Sequence, residues 1–360
     1  MKKGITLLLT LCILQCYAQY PPVSIPGSEV RKITSSIVAG QEYELQILLP
    51  AGYANSTKKF PVVYLMDSQW DFPLAKSIYG EQYFDGFIPE LIIVGVTWGG
   101  TNPNPDSLRA RDYTPSKENR APQSGGADKF LSFMKDELFP FIEQNYKADN
   151  NNRTLMGCSL GGLFTLYSML THGDMFTGYI AASPAYSWDN EVLYKHEKSF
   201  FGKKTSKPSR VYMTVGEVER GAPGFEKFAK FLADRKYASL SIQSKVLENT
   251  GHSGTKNETY ARGLQYVFQR PLIHPGAATL NKYLGMYEMP GGNKIEIRNE
   301  NNQLEVFVSR DNKFPLQAAT ETDFYSISEL LNVHFQTVND TVDGFRLDTY
   351  GNTQFIKKIK

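Results

Sequence analysis

The feature that most constrains the fold is the sequence Gly-x-Ser-x-Gly-Gly at residues 157–162, with Ser159 at its centre. An apolar stretch precedes it, and apolar residues at helical spacing follow from Leu163 onward. A strand, a tight turn and a helix in this order are typical of a nucleophile elbow, where glycines let neighbouring segments approach closely. The sequence therefore predicts Ser159 as an exposed catalytic nucleophile, followed by a helix that ends at Gly173.

The composition of the 360-residue chain, 41% hydrophobic and 21% charged, is that of an ordinary globular protein. Residues 1–18 have the basic start, the apolar run and the small-residue end of a secretory signal peptide. We therefore expect export, with cleavage after Ala18. The apolar run is too short to span a bilayer, so no transmembrane segment is expected in the mature chain. An uncleaved anchor and a lipid-modified Cys16 are the alternatives.

Loss of this leader would remove two lysines and lower the formal net charge from +2 to 0. A neutral mature chain gives no reason to expect a nucleic-acid or anionic-membrane partner.

Of the three cysteines, Cys12 and Cys16 would leave with the leader, so Cys158 has no partner for an internal disulfide. We expect Cys158 to be a small apolar filler beneath the elbow. The sequence does not predict the oligomeric state.

Apolar runs alternate with helical patterns through most of the chain, which predicts an α/β-hydrolase fold with a mostly parallel sheet flanked by helices. Residues 43–49 alternate and predict an opening edge strand, and residues 98–126 predict a long polar loop. The predicted buried strands are residues 60–67, 91–96, 178–183, 210–216 and 240–247, and the later helices are residues 128–146, 224–237 and 258–269.

From about residue 280 the pattern changes to short alternating segments separated by Gly and Asn turns. This pattern predicts an appended antiparallel β module of about eight short strands. We therefore predict a signal peptide at residues 1–18, an α/β-hydrolase catalytic domain at residues 19–276 and a small sheet or barrel-like module at residues 277–360.

A serine nucleophile needs a base within reach and an acid that orients the base. His252 lies in a glycine-containing loop after the last predicted parallel strand, where it can reach the edge that carries Ser159. The acid is expected in the loop after residues 211–215, where Glu217 and Glu219 compete. We prefer Glu219 because its place further along the loop leaves it freer to turn towards the histidine. If neither glutamate takes part, a Ser-His dyad remains.

A tetrahedral intermediate also needs two donors for its oxyanion. The elbow supplies the backbone N–H of Leu160. The second donor is expected from the loop after the strand at residues 62–66, from Ser68 or Gln69.

The loop at residues 98–126 is long, rich in proline and placed after a parallel strand. Such loops lie at the edge where α/β sheets bind ligands, so Arg109, Arg111 and Tyr113 are expected to help shape the acyl or alcohol pocket beside Trp188. The equal alternative for Arg111 is that it pairs with a carboxylate and braces the loop.

Six ordered motifs carry a family resemblance: Leu65-Met66-Asp67, Arg109-Ala110-Arg111-Asp112-Tyr113-Thr114-Pro115, residues 157–162, Ser183-Pro184 with Trp188-Asp189-Asn190, Gly216-Glu217-Val218-Glu219 and Gly251-His252. Together they resemble the putative esterase family of α/β-hydrolases, which includes enterochelin (siderophore) esterase-like hydrolases, esterase D, feruloyl esterases and mycolyltransferases. The resemblance covers about residues 30–270, and its Arg-Asp-Tyr-Thr-Pro and Ser-Pro motifs point to the enterochelin esterase-like branch. Family members with Gly-x-x-Asp at the acid loop support Glu219, here with Glu in place of Asp.

Together with the signal-peptide pattern and the candidate triad, this resemblance predicts an exported serine esterase, periplasmic or secreted, that needs no metal and no cofactor and forms an acyl-enzyme on Ser159. Its partner would be a small-molecule ester, either a siderophore lactone or an acylated sugar. An acyltransferase of the mycolyltransferase type is the alternative within catalysis, because an acyl-enzyme accepts either water or an alcohol. The alternative from another class is a catalytically silent binding protein on a hydrolase scaffold.

Overall fold

The computed structural model describes residues 24–202, 207–350 and 352–360. The predicted signal peptide, with Cys12 and Cys16, lies outside the described residues. Among the helices that are described, none is both long and apolar enough to cross a membrane.

An eight-stranded mixed sheet forms the centre of the first part of the chain, in the order β1-β2-β4-β3-β5-β6-β7-β8. Its strands are β1 (Ser28–Thr34), β2 (Glu42–Leu48), β3 (Phe60–Leu65), β4 (Ile92–Trp98), β5 (Ala148–Cys158), β6 (Gly178–Ala182), β7 (Ser209–Gly216) and β8 (Leu240–Leu247). Strand β2 runs antiparallel to both its neighbours, and β3 to β8 are parallel. The predicted α/β-hydrolase fold is thereby confirmed.

The prediction of an edge strand at residues 43–49 is wrong in its position, because β1 pairs with β2 along its full length and forms the edge itself. Strand β1 is mostly polar and solvent-facing, so it carries no apolar alternation that would reveal it in the sequence. In contrast, β4 is buried at every residue, as the continuous apolar run predicts for an inner strand.

Ten helices are described: α1 (Ser68–Phe84), α2 (Pro105–Tyr113), α3 (Ala127–Phe133), α4 (Phe139–Asn145), α5 (Leu160–Thr171), α6 (Trp188–Glu191), α7 (Leu193–Phe200), α8 (Ala222–Asp234), α9 (Thr255–Val267) and α10 (Ala277–Asn281). The helix predicted for residues 128–146 is divided by a π-helical segment, Met134–Leu138. Helix α5 ends at Thr171, with His172 rather than Gly173 at its C-cap.

The predicted polar loop at residues 98–126 contains helix α2, which the sequence analysis missed. Its start follows ordinary capping rules: the Asn104 side chain accepts the backbone N–H of Ser107 at 3.0 Å, and Pro105 occupies the first turn. This helix matters for the site because it fixes the directions of Arg109 and Arg111.

The C-terminal residues form a closed antiparallel barrel of eight strands, which confirms the predicted β module. The strands are β9 (Gly285–Glu288), β10 (Lys294–Glu300), β11 (Gln303–Phe307), β12 (Lys313–Ala318), β13 (Asp323–Ser326), β14 (Leu331–Val338), β15 (Thr341–Thr349) and β16 (Asn352–Lys358). Strand β16 closes the barrel by pairing with β9. The barrel interior is an apolar core of its own, separate from the two cores that cover the faces of the mixed sheet.

The barrel contacts the C-terminal ends of α1 and α9. Arg270, just after α9, donates to the carbonyl of Gly86 and to Asn332 of the barrel, and the rings of Phe84 and Tyr350 lie 5.4 Å apart. Helix α1 begins at the carboxyl end of β3 and runs for 17 residues, about 25 Å, to the opposite edge of the sheet. The barrel therefore lies at the edge opposite the one that carries Ser159. The division into domains at residues 276 and 277 remains a prediction.

Candidate active site

The strand, turn and helix at residues 157–162 form a strained elbow. Ser159 has φ 59° and ψ −116°, a conformation that side chains rarely adopt and that neighbouring structure must enforce. A Cβ on Gly157 would lie 2.7 Å from the carbonyl carbon of Gly161, and one on Gly162 would lie 3.0 Å from Cα of Pro184. Glycine is needed at both positions because backbone lies where the side chain would be.

A cavity of about 160 Å³ opens beside Ser159. Its walls are Asp67, Trp70, Arg109, Cys158, Ser159, His252, Ser253 and Lys256. The cavity thus brings the predicted nucleophile and the predicted base together from β5 and from the loop before α9. Among the described residues they form no hydrogen bond with each other, and such bonds are often long in a free enzyme and shorten when substrate binds.

The predicted acid faces the predicted base. Glu219 Oε2 lies 2.6 Å from His252 Nδ1, and the two side chains are 16% and 48% exposed. Glu217, in contrast, is exposed and accepts the backbone N–H of Asn249 at 2.8 Å. Of the two competing glutamates, only Glu219 is placed to orient His252 through Nδ1 and leave Nε2 for a serine.

The other oxygen of Glu219 is held by two donors. Glu219 Oε1 accepts the hydroxyl of Ser183 at 2.6 Å and the backbone N–H of Gly216 at 2.8 Å. Burial alone would raise the pKa of Glu219, but the hydrogen bonds from Ser183, His252 and Gly216 outweigh it and lower the pKa below its ordinary value. Glu219 is therefore kept as a carboxylate, the form that stabilises an imidazolium.

Thr255, the first residue of α9, links this carboxylate to the histidine loop. Its Oγ1 lies 2.9 Å from Ser183 Oγ and 2.8 Å from the carbonyl oxygen of His252, and its single proton can go to either. Ser183 and Thr255 are both buried. Sequence reasoning missed this pair as site residues, although Ser183 belongs to a quoted motif.

The candidate oxyanion donors lie at two helix N-termini, where backbone N–H groups lack intrahelical acceptors. Leu160 is the first residue of α5, and Ser68 and Gln69 are the first two residues of α1. The preceding residue, Asp67, is not available as a donor, because its N–H is hydrogen-bonded to the hydroxyl of Tyr113 at 3.2 Å. From this turn, Asp67 and Trp70 contribute to the cavity wall. The roles of the three donors remain predictions.

Two cations line the cavity, and each is paired with a buried carboxylate. Arg109 binds Asp67 in a bidentate manner, with Nε to Oδ1 at 3.0 Å and a terminal nitrogen to Oδ2 at 2.7 Å. Lys256 Nζ lies 2.5 Å from Asp71 Oδ1. The cavity therefore presents N–H donors without a large net charge. Lys256 was not predicted from the sequence, although it lies only four residues after His252.

Of the pocket residues predicted from the sequence, Arg109 lines the cavity, whereas Arg111, Tyr113 and Trp188 do not. Arg111 pairs with Asp112 at 2.7 and 2.8 Å, Tyr113 is fully buried, and the indole N–H of Trp188 donates to the carbonyl of Ser116 at 3.2 Å. None of the three lines the cavity beside Ser159. Residues two apart on a helix point in nearly opposite directions, so α2 directs Arg109 to the cavity and Arg111 away from it. The alternative considered for Arg111, pairing with a carboxylate, agrees with this placement.

Cys158 lies directly before the serine and is buried. Burial raises the pKa of its thiol to about 12, so the group is neutral at physiological pH. A neutral thiol is a poor nucleophile, and this environment agrees with a packing role for Cys158.

Comparison with known proteins places this geometry in a family context. The family model described as "Putative esterase" matches residues 35–260, which end before the barrel. The ferri-bacillibactin esterase BesA of Bacillus subtilis (strain 168) is 33% identical over 218 residues, 55% of this chain and 72% of the relative. The siderophore triacetylfusarinine C esterase of Aspergillus fumigatus is 26% identical over 189 residues, 51% of this chain and 64% of the relative. Among solved structures, a BES protein from Bacillus cereus has a TM-score of 0.64 and 26% identity, over 69% of this chain and 97% of its own.

Proposed function

Because the chain belongs to the Putative esterase family, we propose that it is an exported serine esterase whose triad is Ser159, His252 and Glu219. One observation carries this proposal: a serine held at φ 59° and a His252–Glu219 pair meet at the same cavity. Strain of this kind persists only where surrounding structure enforces it, and it is common at catalytic positions.

The proposed reaction uses these three residues in turn. His252 Nε2 takes the proton of Ser159 as Oγ attacks the ester carbonyl, and Glu219 stabilises the imidazolium through Nδ1. The oxyanion accepts the N–H of Leu160 and a second N–H from Ser68 or Gln69. His252 then returns the proton to the leaving alcohol, which leaves an acyl group on Ser159. Water, activated by His252, attacks the acyl-enzyme, so the carboxylic acid leaves and the serine hydroxyl is restored.

The size of the cavity bears on the substrate. At about 160 Å³ it is smaller than the roughly 300–1,000 Å³ that encloses a drug-sized ligand, so it can hold only the part of a substrate around one ester. The rest would lie on the open surface, beside the exposed side chains of Trp70 and Val218. Large oxygen-rich esters such as siderophore lactones suit a shallow site with donors from Arg109 and Lys256. We propose this substrate class, in line with the named activities of the relatives.

A fluorophosphonate probe tests the nucleophile. We expect one covalent adduct, mapped by mass spectrometry to Ser159, and none in Ser159→Ala. Turnover of p-nitrophenyl acetate by Ser159→Ala should fall more than about a hundredfold, because losing a triad member usually costs several orders of magnitude. Ser241→Ala, an exposed serine on β8, is the matched control and should react normally. An adduct on Ser253, or retention of more than about a hundredth of the rate, would contradict the proposal.

The substrate class is tested by comparing hydrolysis of catecholate siderophore trilactones with hydrolysis of acetylated and feruloylated sugars. We expect the highest kcat/KM on a siderophore lactone. A clear preference for an acylated sugar would reject the proposed class while leaving the triad intact. Addition of an alcohol to the same assay separates hydrolysis from acyl transfer, since a transferase would form a new ester in place of the free acid.

Export is tested on the mature protein. We expect the N-terminus of the protein recovered from the cell envelope or medium to be Gln19, as cleavage after Ala18 requires. A protein that keeps Met1, or that carries lipid on Cys16, would reject cleavage at this position.

A further inference from the structure

A second cavity, of about 610 Å³, lies between the barrel and the ends of α1 and α9. We call it the interdomain cleft. It is much larger than the cavity beside Ser159 and falls within the size range of pockets that enclose small molecules. Because it lies at the opposite edge of the sheet, the proposed esterase chemistry does not explain it.

A partly buried arginine in this cleft lacks a carboxylate partner. Of the other partly buried arginines in the described residues, four pair with a carboxylate: Arg109 with Asp67, Arg111 with Asp112, Arg153 with Glu143 and Arg235 with Glu197. A fifth, Arg210, donates to three backbone carbonyls at the end of α9. Arg270 instead donates to Gly86 O and Asn332 Oδ1, and its guanidinium lies 4.8 Å from the ring centre of Tyr325. In the described part of the chain, three of its five N–H groups have no hydrogen-bond partner.

An uncompensated positive charge is costly to bury. Burial lowers the pKa of Arg270, and no described carboxylate counteracts it. The other charged groups in the cleft each have a partner nearby: Lys58 pairs with Glu90 at 2.7 Å, Arg346 pairs with Asp348 at 3.1 Å, and Asp323 lies 2.5 Å from His334. Among the described residues, Arg270 is therefore the charged side chain of the cleft that has no ion-pair partner, and a ligand with a negative group would supply one.

The aromatic side chains of Phe84 and Tyr350 line the same cleft and are exposed to solvent. Phe84 is 51% exposed and Tyr350 is 45% exposed, and their rings lie 5.4 Å apart at 45°. Exposed aromatic faces of this kind suit the C–H face of a sugar ring. Asn332, whose Oδ1 accepts from Arg270, offers its amide N–H groups to sugar hydroxyls. Thr353 donates to Asp348 at 2.6 Å, and the oxygens of this pair can accept further sugar hydroxyls.

We propose that the interdomain cleft binds an acidic sugar, a hexuronate residue alone or within a glycan. Its carboxylate binds the guanidinium of Arg270, its ring lies on Phe84 and Tyr350, and its hydroxyls bind the polar side chains of the barrel. Binding here does not require Ser159, so the site would hold a glycan about one helix length from the ester-cleaving edge.

Calorimetric titration of the full chain with sodium D-glucuronate at millimolar concentrations tests this site. Methyl β-D-glucopyranoside tests the need for the charge, and benzoate tests the need for the hydroxyls. We expect glucuronate to bind at least about tenfold more tightly than either, since a charge-assisted bidentate contact is among the strong ones. No binding of glucuronate, or equal binding of the glucoside, would overturn the acidic-sugar proposal. Equal binding of benzoate would overturn the sugar assignment.

Variants locate the binding to the cleft. Arg270→Gln should weaken glucuronate binding at least about tenfold, and Phe84→Ala should weaken it severalfold without loss of core packing. Arg298→Gln, an exposed arginine on β10 outside the cleft, is the matched control and should bind as the wild type does. Ser159→Ala should also bind normally. If Arg270→Gln detaches the barrel, the Phe84→Ala variant tests the proposal instead. Unchanged glucuronate binding by Phe84→Ala would show that the sugar binds outside the cleft.

Discussion

The sharpest prediction concerns Glu219→Gln, because the structure dictates which way the new amide must point. At the Oε1 position the backbone N–H of Gly216 is a fixed donor, and Ser183 donates there as well. The amide oxygen must take this position, since an NH₂ group would oppose the N–H of Gly216. The NH₂ group is then directed at Nδ1 of His252, which can only accept from it. His252 is thereby held as the tautomer with hydrogen on Nε2, which cannot take the proton of Ser159.

The size of the effect follows from this tautomer. The comparable Asp-to-Asn change in a serine protease triad lowers kcat about 10⁴-fold. His252 is half-exposed here and can escape its partner more easily, so we expect a loss of about 10³ to 10⁴ in kcat/KM, or about 4 to 5.5 kcal/mol of transition-state stabilisation.

Steady-state hydrolysis of p-nitrophenyl acetate measures this loss, and Glu217→Gln is the matched control. Glu217 accepts only an exposed backbone N–H, so its replacement should change kcat/KM less than about threefold. A larger loss in Glu217→Gln than in Glu219→Gln would move the acid to Glu217. Small and equal losses would refute the triad and favour a Ser-His dyad.

Three further outcomes are expected. Ser183→Ala should lower kcat/KM about 10-fold to 100-fold, because it removes a charge-assisted hydrogen bond to Glu219; an unchanged rate would refute its positioning role. The pKa of Glu219 is lowered in the folded state, so its carboxylate should contribute fully to the free energy of unfolding above about pH 4.5. This contribution should be lost as the pH falls through the lowered pKa, so the free energies of unfolding of wild type and Glu219→Gln should converge in acid. Truncation after Arg270 should preserve p-nitrophenyl acetate hydrolysis within about threefold, and a folded but inactive product would assign the barrel to the site.

The central elements were predictable because each has a strong local signal. The apolar run at β4 and the Gly-x-Ser-x-Gly-Gly turn before α5 follow directly from burial and backbone sterics. Strand β1 and helix α2 were not predicted, because both are polar and depend on neighbours for their packing. The signal for α2 was present in Asn104-Pro105, a cap followed by proline at the first turn, but the proline was interpreted as a loop residue.

The pocket was harder to predict than the elbow and the histidine. Choosing between Arg109 and Arg111 requires knowing that they lie on a helix and which face of it packs on the core. Lys256 enters the cavity only because α9 starts directly after the histidine loop, and its partner Asp71 lies 185 residues earlier on α1. Such long-range pairs have no signature in a single sequence. Composition and periodicity predict which elements form, whereas the walls of a cavity depend on how the elements meet.

The strained backbone around Ser159 indicates a functional site independently of any comparison with relatives. Ser183, at the end of the neighbouring strand β6, also has a positive φ, of 39°. The two turns are joined: the N–H of Ser159 donates to Ala182 O at 3.0 Å, and the N–H of Ala185 donates to Ser159 O at 3.0 Å. One strained serine presents its hydroxyl to the cavity, and the other presents its hydroxyl to Glu219. Because each such conformation costs about 1–3 kcal/mol, two of them at adjacent strand ends indicate an edge shaped for chemistry at the expense of stability.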